Sequence, residues 1–173
     1  MVSSLCARAA AALLFASSML MAGPALAQWR VAQDRPSGSS QRIDVAVVEN
    51  ESGHRLRFYS DDTENVRALF TIRGGFDSMD PGACPTYRID NRDPRRVTFE
   101  EQRCRILPKQ VEFTLGKTGL NQNRELKRIM NGNNLVVRYR LGSGIYRETQ
   151  FTLSGSKYAL TLAVRDREVG GDE

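Results

Sequence analysis

Apolar residues recur at every second position along most of this chain, and that spacing constrains its fold more than any other feature. Ile43, Val45 and Val47 alternate with Arg42, Asp44 and Ala46. Val66, Ala68, Phe70 and Ile72 repeat the pattern, and Val111, Phe113 and Leu115 alternate with Glu112 and Thr114. Segment 54–60 reads as a strand with either Leu56 and Phe58 or Arg57 and Tyr59 turned inward. Tyr87 and Ile89 mark a short strand, Val97 and Phe99 another that reaches Cys104, and Leu135, Val137 and Tyr139 alternate with Arg138 and Arg140. LGSG at 141–144 supplies a hairpin turn, with 146–153 as the returning strand. Each one-sided strand needs a partner for its apolar face, and for so many strands that partner is a second sheet. The expectation is a mainly β chain: a β-sandwich of seven or eight antiparallel strands with one or two short helices and one disulfide.

The period changes once, at NRELKRIMNG, residues 123–132. Leu126, Ile129 and Met130 stand at i, i+3 and i+4, which makes one apolar stripe on a helix. Asn123 is placed to cap its start, and Asn131 or Gly132 to end it in a left-handed conformation. The segment 156–164 fits a closing helix capped from Ser154 or a final strand equally well. Residues 33–40, QDRPSGSS, are rich in turn formers and read as a loop. The polar stretch 165–173 reads as a flexible tail.

The first 27 residues obey a different rule. Arg8 is their only charge, and the mostly apolar or small run 9–21 leads through Gly23 and Pro24 to Ala25-Leu26-Ala27. A short positive region, a brief apolar run and an A-x-A ending form a cleaved secretory signal. The run falls short of the about 20 strongly apolar residues that span a bilayer. Three segments are therefore expected: a signal peptide over 1–27, one β-sandwich domain over 28–164, and the tail. The expected location is periplasmic or secreted, with association to an outer membrane.

Export decides the cysteine chemistry. Cys6 lies ahead of the apolar run and leaves with it, so Cys84 and Cys104 remain, and in an oxidising compartment they pair. Closing a loop of that size contributes roughly 3 kcal/mol. Two thiols and one histidine, His54, are too few for structural zinc, and no C-x-x-C points to thiol exchange. No metal or cofactor is expected.

Catalytic signatures are sparse. His54 could serve a hydrolytic triad only beside a nucleophile and an acid, and no G-x-S-x-G is present. Asp61 and Asp62 are adjacent and lack calcium-loop spacing, so they read as a solvated turn. GKTG at 116–119 matches only part of a phosphate loop. The expectation is a chain that is not an enzyme.

Charge offers the better clue. The chain carries 25 Lys+Arg against 20 Asp+Glu, and loss of the signal leaves a net of +4. Twenty of the remaining basic residues are arginine, which makes fixed two-pronged contacts with carboxylate or phosphate. Arg92, Arg95, Arg96, Arg103 and Arg105 cluster near the expected bridge with Tyr87 close by, and form a candidate patch for an anionic partner. Asp90, Asp93, Glu100 and Glu101 interrupt any phosphate track, so a lipid head group, a glycan or an acidic protein fits better than nucleic acid.

A further set of features resembles a known family. Gln28-Trp29-Arg30-Val31 directly follows the signal, then come "YRID", "VTFEEQRCRI" and the helical "LNQNRELKRIMNGNNLVVRYR". The ending "FTLSGSKYALTLAV" matches phe-x-leu-x-gly-x-x-x-ala-leu through Phe151, Leu153, Gly155, Ala159 and Leu160. Together they resemble the invasion-associated locus B family of small exported proteins of Gram-negative bacteria, most closely over 97–164. The family's early cysteine is missing, since Ala32 and Gln33 stand there, and its second bridge goes with it. The resemblance implies a β-sandwich with small helices and a periplasmic or envelope role, sometimes tied to host-cell invasion, and it supplies no catalytic residue. A non-enzymatic protein binding an envelope or host component is thus the leading expectation. Behind it stand an inhibitor of an envelope-attacking enzyme such as lysozyme, acting through loop 74–84, and a small hydrolase using His54.

Overall fold

The computed structural model describes residues 28–35, 42–96, 104–118 and 123–164. Among the described residues there are ten strands and two helices. In chain order they are β1 (Arg30–Asp34), β2 (Ile43–Glu49), β3 (Arg55–Ser60), β4 (Asn65–Thr71), β5 (Thr86–Ile89), β6 (Arg95–Arg96), β7 (Cys104–Leu107) and β8 (Gln110–Lys117). Helix α1 (Arg124–Asn131), β9 (Asn134–Arg140), β10 (Tyr146–Thr152) and α2 (Ser156–Ala163) follow. All strand pairs are antiparallel, in a six-stranded sheet ordered β1-β2-β3-β4-β8-β7 and a four-stranded sheet ordered β10-β9-β5-β6.

The sheets face each other, as the alternation requires. Phe70 of β4 meets Phe151 of β10 edge-on at 6.1 Å and Tyr139 of β9 at 5.1 Å. Near the other edge, Tyr87 of β5 stacks on Phe113 of β8 at 5.6 Å. Six strands are wider than four, and α2 covers the remainder. Its Ala159, Leu160, Ala163 and Val164 join Trp29, Ala46 and Val48 in the core, on the inner side of β1 and β2. These residues share one side only in a helix, because a strand would turn Ala159 and Leu160 to opposite faces. The closing segment is therefore helical. Its cap is Gly155, at φ +86°, and not Ser154, while the buried Ser156 hydroxyl donates to the Ile129 carbonyl of α1 at 3.2 Å.

Several expectations are met and others corrected. Leu56 and Phe58 are the inward pair of β3, and Asn123 caps α1 by accepting from the Leu126 N–H at 2.9 Å. Gly132 ends α1 in extended backbone at φ −88°, not in a left-handed conformation. Glycine is required there by crowding, since a Cβ would sit 2.6 Å from Ile89 Cγ2 and 2.9 Å from Leu153 Cδ1. In β2 both faces are apolar: Ala46 and Val48 enter the core, while Ile43, Val45 and Val47 form a second cluster with Tyr59, Ala32 and Leu69 on the outer face. The tally of strands rises because β1 reaches into the stretch read as loop, and because β6 and β7 stand on either side of the segment read as one strand. Val97 and Phe99 lie outside the described residues.

The bridge forms as expected, with Cys84 and Cys104 Cα atoms 6.2 Å apart. It ties the segment entering β5 to β7, one sheet to the other. The opposite side of the sandwich is closed by side chains. The buried Trp29 indole donates to the Thr152 carbonyl at 2.7 Å, and Asn50 Nδ2 donates to the Gln150 carbonyl at 2.9 Å. Both acceptors belong to β10, an edge strand, whose carbonyls would otherwise invite another strand.

Candidate functional site

Strand register builds an unusual row on the outer face of the six-stranded sheet. Arg30 lies opposite Val47, Val47 opposite Arg57, Arg57 opposite Leu69, Leu69 opposite Glu112 and Glu112 opposite Arg105. Charged and apolar side chains are thereby interleaved across all six strands, each within reach of its neighbour. A cleft of about 170 Å³ opens over this row. Val45, Leu69 and Leu107 give it an apolar floor, and Arg35, Arg57 and Arg105 give it three cations.

Two carboxylates lie among these arginines, and each is engaged. Arg57 donates to Asp34 at the end of β1, and the Tyr59 hydroxyl donates to Glu112. Burial, and then the Glu112 carboxylate, push the Tyr59 hydroxyl well above its ordinary value of 10.0, so it stays protonated and donates. Arg57 Nε is buried without an acceptor, and Arg35 and Arg105 carry no ion pair among the described residues. Such a site can hold a small anionic group with guanidinium donors and rest an apolar stem on its floor.

The arginines singled out from the sequence divide. Arg105 lines the cleft, whereas Arg92, Arg95 and Arg96 are exposed on the turn after β5 and on β6, in the other sheet. Arg95 is paired with Glu125 of α1 at 3.2 Å. Arg103 lies outside the described residues. Arg35 and Arg57, the partners that Arg105 does meet, stand far from it in the chain and come together only through strand register.

The remaining polar features have structural employment. His54 Nδ1 accepts from the Arg73 backbone N–H at 2.9 Å, and Nε2 faces the Tyr139 hydroxyl at 3.5 Å. Its ring stands edge-on to Phe70 and Tyr139, and burial, with Arg73 adding to it, holds its pKa below 6.5. Both ring nitrogens thus face a backbone amide and a phenol, with neither a serine hydroxyl nor a carboxylate in bonding reach among the described residues.

Asp61 organises the β3–β4 turn. Its Oδ1 accepts from the Thr63 N–H, the Thr63 hydroxyl and the Asn65 N–H at 3.0, 2.8 and 2.9 Å, and its Oδ2 accepts from Arg67 Nε at 2.6 Å. Burial alone would raise its pKa, but the Asn65, Arg67 and Thr63 hydrogen bonds outweigh it and bring the carboxyl to about 2. In the GKTG stretch, Gly116 at φ +127° follows a bulge that shifts the β4–β8 register, and Lys117 donates to the Thr63 carbonyl at 2.8 Å. These glycine and lysine positions therefore serve a strand end.

Comparison with family models, with curated proteins and with solved structures returns no match.

Proposed function

We propose that this chain is an exported, envelope-associated, non-enzymatic binding protein that takes the anionic group of an envelope or host component into the outer-face cleft. The observation that carries this reading is the convergence of Arg35, Arg57 and Arg105 over an apolar floor. Export follows from the signal-like segment 1–27, with cleavage after Ala27 placing the protein in the periplasm or outside the cell. A chain beginning at Gln28 keeps the buried Trp29 and its hydrogen bond to Thr152. The Cys84–Cys104 bridge suits an oxidising compartment. The resemblance to the invasion-associated locus B family adds a link to host-cell invasion.

Titration of the protein with glycerophosphate and with glucuronate, followed through the arginine Nε–Hε resonances, tests the reading. The Arg57 signal should move, with an affinity that falls as salt is added and falls further in R105A. Static arginine resonances with both anions would sink it.

A further inference from the structure

A second surface, which shares no residue with the cleft, lies at one end of the sandwich. The loop between β4 and β5 carries Phe76 fully exposed, at 110% of its reference area. That loop is braced. Lys109 donates to the carbonyls of Gly75, at 2.6 Å, and Asp77, on either side of Phe76. The Met79 N–H donates to the Pro108 carbonyl at 2.8 Å, and the Gly142 N–H donates to the Ser78 carbonyl at 2.9 Å. The last bond, with the Met79–Leu141 bridge, ties the loop to the β9–β10 hairpin.

The hairpin contributes two more exposed apolar side chains, Ile145 and Tyr146. Cations surround them. Arg138 lies over the Tyr146 ring at 4.8 Å and Arg140 at 5.8 Å, while Arg73 and Lys109 flank Phe76 in the chain and through its carbonyls. Carboxylates offset part of this charge: Asp80 pairs with Arg140 at 3.2 Å and Glu148 lies 4.0 Å from Arg138, which leaves Asp77 on the loop. Apolar tips interspersed with arginine and lysine, held on braced backbone, match the two layers of a lipid surface: hydrocarbon below, phosphate above. A protein pocket would instead favour one contiguous anchor, whereas these three side chains stand on the β4–β5 loop and on the β9–β10 hairpin, with two guanidinium groups over the Tyr146 ring.

We propose that this end of the sandwich seats the protein on an anionic lipid surface. Phe76 enters the acyl boundary, Ile145 and Tyr146 lie at head-group depth, and Arg73 and Arg138 face the phosphates, while Lys109 and Arg140 brace the loop.

The test is made on the full chain carrying F76W, with the wild type as baseline for the buried Trp29. Vesicles of phosphatidylcholine with and without phosphatidylglycerol are compared, in plain and brominated-chain forms. The F76W indole should shift to the blue and be quenched by brominated chains only when phosphatidylglycerol is present. F76S should weaken partitioning roughly tenfold or more, and R138Q about fivefold. Vesicle binding with an unshifted F76W indole would overturn the proposal, because the chain would then be held by another segment such as 9–21. An equal shift on neutral vesicles would also overturn it. So would no shift on any vesicle, whether or not Phe76 then proves necessary for holding a purified enzyme such as lysozyme.

Discussion

Phe70 and Leu69 are neighbours in β4 and face opposite ways. Phe70 is wholly buried between the sheets, with the rings of Phe151, Tyr139 and His54 around it. Leu69 is half-buried on the outer face, with Arg57 opposite on one side and Glu112 on the other. The inner face is built of apolar side chains packed on a second layer. The outer face sets apolar residues between ion pairs and leaves Arg57 Nε without an acceptor. Arg57 is paired with Asp34, but Arg35 and Arg105 bring like charge to the same cleft without an ion pair among the described residues, which suits an anion under the proposed reading. On the proposed reading, one sheet divides its labour by face: cohesion inward, recognition outward.

Truncation on each face should expose that division most strongly. Phe70→Ala is expected to cost about 3–5 kcal/mol, because a large side chain leaves a cavity that rigid neighbours cannot fill. Leu69→Ala should cost about 1 kcal/mol, as its side chain is only partly buried and the cleft beside it is open to solvent. Urea denaturation of the two variants measures both. Equal losses would show that the outer cluster is a second core and not a binding floor.

The bridge comes next. Cys84 and Cys104 are separated by 20 residues, and replacing both with serine should remove about 3 kcal/mol of stability. Cys104 lies on the inner side of β7 and Arg105 on the outer side. Anion binding by the folded serine variant should therefore survive, and its loss would mean that the bridge positions Arg105 and that the two faces are not separable.

A smaller effect is expected at the Asp61 turn, beside the outward-facing Arg67. Asp61→Ala strands the donors of Thr63, Asn65 and Arg67 at once and should cost roughly 1–3 kcal/mol. Asp61→Asn keeps an acceptor for the two backbone donors and should recover part of that. If the two variants unfold at the same denaturant concentration, the charge of Asp61 is the whole of its contribution.

How much of this is legible in the sequence follows from the physics of each part. Val111 and Phe113 announce their strand and their shared face because the polar Glu112 and Thr114 alternate with them. In β2 both rows are apolar, so the period cannot say which one meets the second layer. β1 is obscured because RVAQD alternates weakly, and its place is set by pairing with β2 and by a Trp29 bond to Thr152, 123 positions on. Gly132 advertises a left-handed turn by its identity, yet Ile89 and Leu153 are what require it. Arg57 and Arg105 come from β3 and β7 and Arg35 from the residue after β1, and no local pattern contains them. A run such as Arg92, Arg95 and Arg96 is conspicuous along the chain, but register decides which cations share a cleft.

Acidity separates the two faces by a subtler measure. His54, at the rim of the inner core, has its pKa held below the ordinary 6.5 by burial and by Arg73, so the unfolded chain binds its proton more readily. Stability then rises with pH through the window beneath 6.5, is complete above it, and falls as acid protonates the folded ring. Protonation also converts Nδ1 from an acceptor into a donor facing the Arg73 N–H, which breaks that bond. Asp61 contributes stability that is present above 3.8 and is lost as pH falls through about 2. Unfolding free energy followed from neutral to strongly acid pH should therefore decline in two stages, the inner first and the outer second. The first is bounded by one proton, about 1.4 kcal/mol per pH unit. His54→Gln should flatten the first stage and leave the second unchanged. A variant that keeps the whole mild-acid decline would place its origin in another group and remove His54 from the account of the inner rim.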